Sequence, residues 1–243
     1  MQEAAKKLFV EHLRKTRIPA VVETKAHITS SVGGDQRTVS VSRIEISDEP
    51  LPIIRAQLLS RDAGNADSRF LLDQTIDLGT NDPSETRMSF WVWDPVNNRA
   101  RLIPVDPFMS FPGTSVRLVD HLLPVPELVE SWAIVAGEAG RDVLELGIHD
   151  PLPAVFSPQW RKIRIHVGSA DRRLHRTEVI FGDDRRHVAE VLEWATIGDI
   201  HGLAKVKITD GTQWTQLELS HSVRDGWGAE KFTRHRLETG AGF

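Results

Sequence analysis

Ser89-Phe90-Trp91-Val92-Trp93-Asp94-Pro95, then Arg99-Ala100-Arg101-Leu102-Ile103-Pro104, then Ser110-Phe111-Pro112-Gly113-Thr114, is the stretch that decides how this chain is read. In order, it is an aromatic strand, a short Pro-Asn turn, a basic-apolar strand and a glycine-containing loop. Successive side chains of a strand point to opposite faces, so Met88, Phe90 and Val92 share one face while Trp91 and Trp93 share the other. Apolar groups on both faces require cover on both sides. Something besides one ordinary core must therefore lie against this strand.

Outward from this stretch the dominant period is two. Before it, Val21 to His27, Val39 to Ile46 and Ile53 to Leu59 read as strands, with breaks at Gly33-Gly34, Asp48-Glu49-Pro50, Asp62-Ala63-Gly64 and Asn81-Asp82-Pro83. After it, turns at Gly137 to Gly140, Gly168 to Asp171, Gly182 to Asp184 and Asp210-Gly211 fall at hairpin intervals. Ile163, Ile165 and Val167 face one way, and Lys162, Arg164 and His166 the other. The connections are too short for parallel crossovers, so the strands form a long antiparallel meander. Two helical readings interrupt it. Ala5, Leu8, Phe9, His12 and Leu13 recur at helical spacing ahead of Pro19, and Val116 to Leu123 with Pro126 to Trp132 read as one or two short helices. The fold expected is α+β and mostly β. It is a strongly curved antiparallel sheet with a few helices packed on its concave side, and with no linker to split it, one domain spans 1–243.

The order of the pieces around Trp91 resembles the bacterial outer-membrane lipoprotein-sorting family, the LolA/LolB-like superfamily of periplasmic lipoprotein carriers. There a strand of the type W-x-W/Y-x-P leads through R-x-R-x-I into a loop like S-F-x-G-S/T. Trp132-Ala133-Ile134-Val135, Val143 to Leu146, Lys162 to Val167, Arg176 to Phe181, Leu217 to Ser220 and Lys231-Phe232-Thr233 fall where that family carries successive strands and a closing F-T segment. The resemblance implies that the curved sheet is the half-open β-barrel of that family. It also implies a hydrophobic cavity for lipid or lipoprotein acyl chains, and a location in the periplasm or cell envelope.

Composition limits the alternatives. With 40% hydrophobic and 26% charged residues, the chain has the makings of a globular protein with a sizeable core. A net charge of -4 argues against nucleic acid as a partner, because phosphate binding needs a clustered basic face. The absence of cysteine removes disulfides, thiolate metal sites and cysteine nucleophiles. Residues 1–7 contain no apolar signal region, so the chain is either cytosolic or a mature form whose signal or lipid-anchor segment has been removed, and the resemblance favours the second.

Catalytic patterns are missing. The ten histidines are scattered without H-x-x-x-H or H-E-x-x-H spacing, and the glycines form neither a Walker loop nor a strand-linked G-x-G-x-x-G. No G-x-S-x-G elbow occurs. The expectation is a protein that is not an enzyme and needs no metal or organic cofactor. Bulky aromatics on a strand fill a core more often than they line a ligand site. With the resemblance, the cavity candidates are Phe90, Trp91, Val92, Trp93, Leu102, Ile103, Phe108, Met109, Phe111, Val119 and Leu122. Either the tryptophan face or the Phe90 and Val92 face supplies the wall, and the Phe108 to Gly113 loop is a gate beside it. Arg99 and Arg101 stand at the cavity mouth or form surface ion pairs.

Two functions from different classes follow. The first is a non-enzymatic, monomeric carrier or chaperone that shelters acyl chains and exchanges them with an inner-membrane transporter or an outer-membrane acceptor. The alternative is a protein-interaction or sensory module of the same fold, resembling anti-sigma-factor regulators, that binds a partner segment at a sheet edge.

Overall fold

Alternation of apolar and polar residues builds strands over most of this chain. The computed structural model describes residues 2–15, 21–32, 37–46, 53–62, 69–77, 87–104, 114–117, 129–137, 140–148, 160–197 and 200–240. Among them are thirteen strands, two α-helices and a single 3-10 turn at Ala229–Lys231. Every pairing whose register is described is antiparallel. The fold is thus mostly β, as the meander pattern requires. No helix among the described residues is long and apolar enough to cross a membrane.

Two units divide the chain. The first comprises Met1–Arg17, Thr29–Gly34 and Phe108–Leu217, and the second Ile18–Ile28, Asp35–Pro107 and Glu218–Phe243. In the first unit, helix α1 (Gln2–Lys15) accompanies β7 (Val129–Val135), β8 (Arg141–Ile148), β9 (Trp160–Gly168), β10 (Leu174–Phe181), β11 (Arg186–Ile197) and β12 (Ile200–Asp210), which hydrogen-bond in that order. Leu144 lies opposite Ile165 and Leu146 opposite Ile163, all of them buried, and Phe9, Trp132 and Phe181 are buried in the same unit. Ala5, Leu8, Phe9 and His12, spaced to share one face of a helix, are buried in α1, which packs on β7 and β8. The Phe9 ring lies 5.4 Å from that of Trp132.

The second unit begins its strand order at β6 (Arg99–Ile103) and continues through β5 (Arg87–Asp94), β4 (Arg69–Asp77), β3 (Ile53–Asp62), β2 (Arg37–Ile46) and β1 (Val22–Ser30), of which Thr29 and Ser30 belong to the first unit. Strand β13 (Gln213–Val223) contributes Gln213–Leu217 to the first unit and the rest to the second. Helix α2 (Arg234–Thr239) packs on β4, β5 and β6. Among the described residues β6 and β7 each have a hydrogen-bonded neighbour on one side only, so the strand order is open rather than closed on itself.

One expectation needs correction. Of the segment read as short central helices, Val129 to Trp132 belongs to strand β7, while 118–128 lie outside the described residues. The register against β8 shifts between Val129 and Ser131, which blurs the two-residue period that would have identified the strand.

Candidate functional site

Asp94 fixes the turn that follows the aromatic strand. Its Oδ1 accepts from the Val96 and Asn97 amides at 3.1 and 3.2 Å, and its Oδ2 from Asn97 Nδ2 at 2.8 Å. The Asn97 side chain is the main reason the Asp94 carboxyl is held below the usual carboxylate range. Asn98, at φ 47, takes the left-handed conformation that asparagine tolerates well. The hairpin then sets Trp91 opposite Leu102 and Trp93 opposite Ala100, with Phe90 opposite Ile103. On the other side β4 sets Leu71 opposite Trp91 and Leu72 opposite Phe90.

Both faces of β5 are covered, as the sequence requires. Phe90 is 1% exposed and Trp93 6%. On one face Phe90, Leu72, Val92 and Ile103 lie together, with the Phe70 ring 5.5 Å from that of Phe90. On the other, Trp93, Leu71, Ala100 and Val21 form a cluster with Phe232 and Leu237, and Trp91 and Trp227 pack against it. Guanidinium groups border these rings: Arg69 lies 4.2 Å from the Trp93 centroid, Arg234 5.2 Å from Trp91 and Arg236 4.8 Å from Trp227.

Helix α2 is the cover on the tryptophan face, and sequence reading missed it. Its signals are legible in retrospect. Thr233 is the N-cap, its hydroxyl accepting from the Arg236 amide, and Gly240 ends the helix at φ 65 while its amide donates to Arg236 O. Glu238 fastens the helix to the sheet. Its Oε1 accepts from the Ala100 amide at 3.0 Å and from Arg234 Nε at 2.9 Å, and its carbonyl accepts from Arg69 Nη1 at 3.3 Å. The Ala100 amide, followed by Arg234, lowers the Glu238 pKa.

The remaining candidates sort as follows. Leu102 is 57% exposed, and Ile103 is half-buried. Arg99 is exposed, while Arg101 has a 60% exposed side chain and pairs with Asp94 at 3.4 Å, a surface ion pair. Phe108, Met109, Phe111, Val119 and Leu122 lie outside the described residues. The residues just past the loop are fixed within the first unit: Thr114, Ser115 and Val116 are buried, and the Ser115 amide donates to Thr215 Oγ1 at 2.7 Å. Thr215 Oγ1 in turn lies 3.0 Å from Ser30 Oγ. Among the described residues no group of three or more histidine and carboxylate side chains could hold a metal ion. What the assembled residues offer a ligand is apolar and aromatic surface edged by guanidinium groups.

No family model and no curated protein matches the sequence. Solved structures do match the fold. A domain assigned to outer-membrane lipoprotein sorting, from Vibrio parahaemolyticus, aligns with 98% of this chain and 100% of its own at a TM-score of 0.78 and 12% identity. A DUF1329 family protein from Desulfovibrio piger covers 97% of this chain and 98% of its own, with a TM-score of 0.76 and 15% identity. A LolA superfamily protein from Nitrosomonas europaea covers 95% and 98%, with a TM-score of 0.60 and 14% identity. At these identities the likeness is one of fold, and the fold is LolA-like, as the sequence resemblance implies.

Proposed function

We propose, from this LolA-like fold, that the chain is a non-enzymatic envelope carrier that shelters the acyl chains of a lipid or lipoprotein against the sheet at β4, β5 and β6. The observation that carries the reading is the match to a lipoprotein-sorting domain along 98% of the chain. The chemistry of the second unit supports it. The two opposite faces of the β4–β5 pair are lined by Phe70, Leu72, Phe90 and Val92 and by Trp91 and Trp93, and each methylene taken from water onto apolar surface contributes about 0.8 kcal/mol. One acyl chain therefore gains substantial affinity without any catalytic group. In this reading the sheet is a half-open barrel acting as a single domain, and the hydrophobic cavity takes in Leu102, Ile103, Phe108, Met109, Phe111, Val119 and Leu122 as well. Arg99 and Arg101 stand at its mouth. The protein works as a monomer in the periplasm or cell envelope, receiving cargo from an inner-membrane transporter or passing it to an outer-membrane acceptor.

Titration with a fluorescent fatty-acyl probe tests the reading. Saturable binding is expected, weakened at least severalfold in Phe90→Asp if that variant keeps its strand spectrum. A folded wild-type protein that leaves the probe in water contradicts it. The interaction-module reading predicts that outcome instead, with a protein segment bound at the β6 edge.

A further inference from the structure

Strand β4 carries a carboxylate that no other residue of the second unit engages. Alternate residues of a strand share a face, so Asp73 stands on the same face as Leu71, one cross-strand pair beyond Leu71 and Trp91. That step is about 7 Å along the strand, which makes Asp73 and Trp91 diagonal neighbours. The register sets Ser89 of β5 on one side of Asp73 and Gln57 of β3 on the other, and neither residue is basic. Asp73 is half-buried and its Oδ1 is fully so, with no hydrogen-bond donor and no ion-pair partner among the described residues.

The arginines of this unit's aromatic face are engaged elsewhere. Arg69 lies over Trp93 and donates to the Glu238 carbonyl, Arg234 lies beside Trp91 and donates to Glu238 Oε1, and Arg236 lies over Trp227. A carboxylate oxygen withdrawn from water without a donor is destabilising, and a ligand that brings the donor removes that cost. A metal ion is a poor match. Calcium takes about six to eight oxygen ligands, and no group of three or more histidine and carboxylate side chains stands together among the described residues. A hydroxyl would satisfy the hydrogen bond and leave the charge unpaired. An organic ammonium satisfies both, since it brings donors and a positive charge in one compact group, and an indole ring beside the carboxylate favours it further. The rings of this face already attract cations, as the 4.2 Å approach of Arg69 to Trp93 and the 5.2 Å approach of Arg234 to Trp91 show.

We infer that Asp73 and Trp91 form a subsite for a primary ammonium group, so that the cargo this protein favours is an amine-bearing amphiphile whose ammonium sits on the Asp73 carboxylate beside the Trp91 ring. The inference rests on the carrier reading and deepens it by naming the head-group class. It supplies a selection that apolar surface lacks. Burial of methylenes depends on chain length and is blind to the polar end, whereas a half-buried carboxylate attracts an ammonium, is indifferent to the charge of a hydroxyl and repels a second carboxylate. Two amphiphiles of equal chain length are thereby told apart.

Calorimetric titration of the full chain with dodecylamine, dodecanol and dodecanoate, each kept monomeric in neutral buffer, tests it. The three probes share one chain and differ at the head group alone. Dodecylamine is expected to bind about tenfold more tightly than dodecanol, the change that a charge-assisted hydrogen bond at a half-buried site produces, with dodecanoate the weakest. Asp73→Asn keeps the side-chain shape and removes the charge, and Asp73→Ser is the second variant should the first fail to fold. In either variant the affinity for dodecylamine should fall to that for dodecanol, while dodecanol itself binds as it does to the wild type. If the wild type binds the three probes equally, or prefers dodecanoate, or if its preference for dodecylamine survives the loss of Asp73, the subsite fails while the carrier reading stands. Should dodecanol lose as much affinity as dodecylamine in the variants, Asp73 acts on the apolar surface rather than on the head group, and the inference fails likewise. If no probe binds at all, the carrier reading fails and takes this one with it.

Discussion

The two units solve the same problem with different materials. In the first, a 14-residue helix packs on β7 and β8 and lays down Ala5, Leu8 and Phe9 at regular spacing, beside strands whose buried residues on β8 and β9 are leucine, isoleucine and valine. In the second, an aromatic face is covered by a six-residue helix that contributes Leu237, with Phe232 just ahead of its cap and an arrangement of guanidinium groups and one carboxylate at the edges. Branched aliphatic side chains interlock in few rotamers and favour one permanent packing. Flat rings under cations present a surface on which one apolar partner can replace another. Of the two, the aromatic face in the second unit is the one whose cover is the shorter helix.

The largest effects should separate the units most clearly. Leu146 and Leu237 are both 0% exposed, so burial alone predicts equal costs for truncation. Leu146→Ala should lower the stability of global unfolding by about 2–5 kcal/mol in urea, as buried leucine truncations do. Leu237→Ala should cost less than about 2 kcal/mol, because the loss cannot exceed the local free energy that docks α2. Its mark should be faster hydrogen exchange confined to 232–240. Equal losses, with exchange accelerated throughout, would break the comparison.

Acid should also reach the two units at different pH. Burial lowers the His12 pKa from 6.5, against the opposing effect of the Arg172 carbonyl, to which Nδ1 donates at 2.8 Å. The folded state therefore resists protonation that the unfolded chain accepts, so this contribution is full above about 6.5 and is lost as pH falls below it. Glu238 has its pKa lowered from 4.5, so its contribution is present above that value and disappears only as pH falls through the lower folded value. Unfolding curves from pH 7 to 4 should show decline starting near 6.5, flattened in His12→Gln. A spin label attached to α2 through His235→Cys should stay immobile until the more acid range. Loosening of α2 already at pH 6 would contradict this order.

The smallest effect expected is at Glu145. Burial, the strongest single influence, raises its pKa, but Lys162 and Arg164, both at 2.8 Å, together bring it below the ordinary value. The pair with Arg164 is partly exposed, with side chains 15% and 31% accessible. Arg164→Ala should thus cost no more than about 1 kcal/mol at low salt, and still less in 1 M salt, where screening acts within a few ångströms. A loss several times larger would mean that the polar face of β9 matters to the scaffold as much as its apolar face.

What could be read from the sequence follows the physics of alternation. The helix at Ala5 to Arg14 and the strands around Val22, Val39, Ile53 and Ile163 were legible because each has one clean period, and the strand at Phe90 because its aromatic and β-branched residues run straight into the turn at Asp94-Pro95. Strand β4 was not, since Phe70, Leu71 and Leu72 run together without alternation and both Leu71 and Leu72 are buried. Strand β11 was obscured because its register shifts between Val191 and Glu193 and again before Trp194, which moves the apolar residues out of step. At the candidate site the aromatic strand was legible, and the helix that covers one of its faces was not. A six-residue helix has too few turns to show periodicity, and only its caps, Thr233 and Gly240, announce it.

The claim that the protein carries acyl chains is tested most directly by extracting the protein, purified under detergent-free conditions from an expressing bacterial envelope, and identifying bound lipid by mass spectrometry. The account predicts acylated lipid in amounts comparable to the protein, depleted when Phe90→Asp is purified in the same way. A folded wild-type protein that emerges free of lipid, and that still takes up none after incubation with acylated lipoprotein, would contradict it.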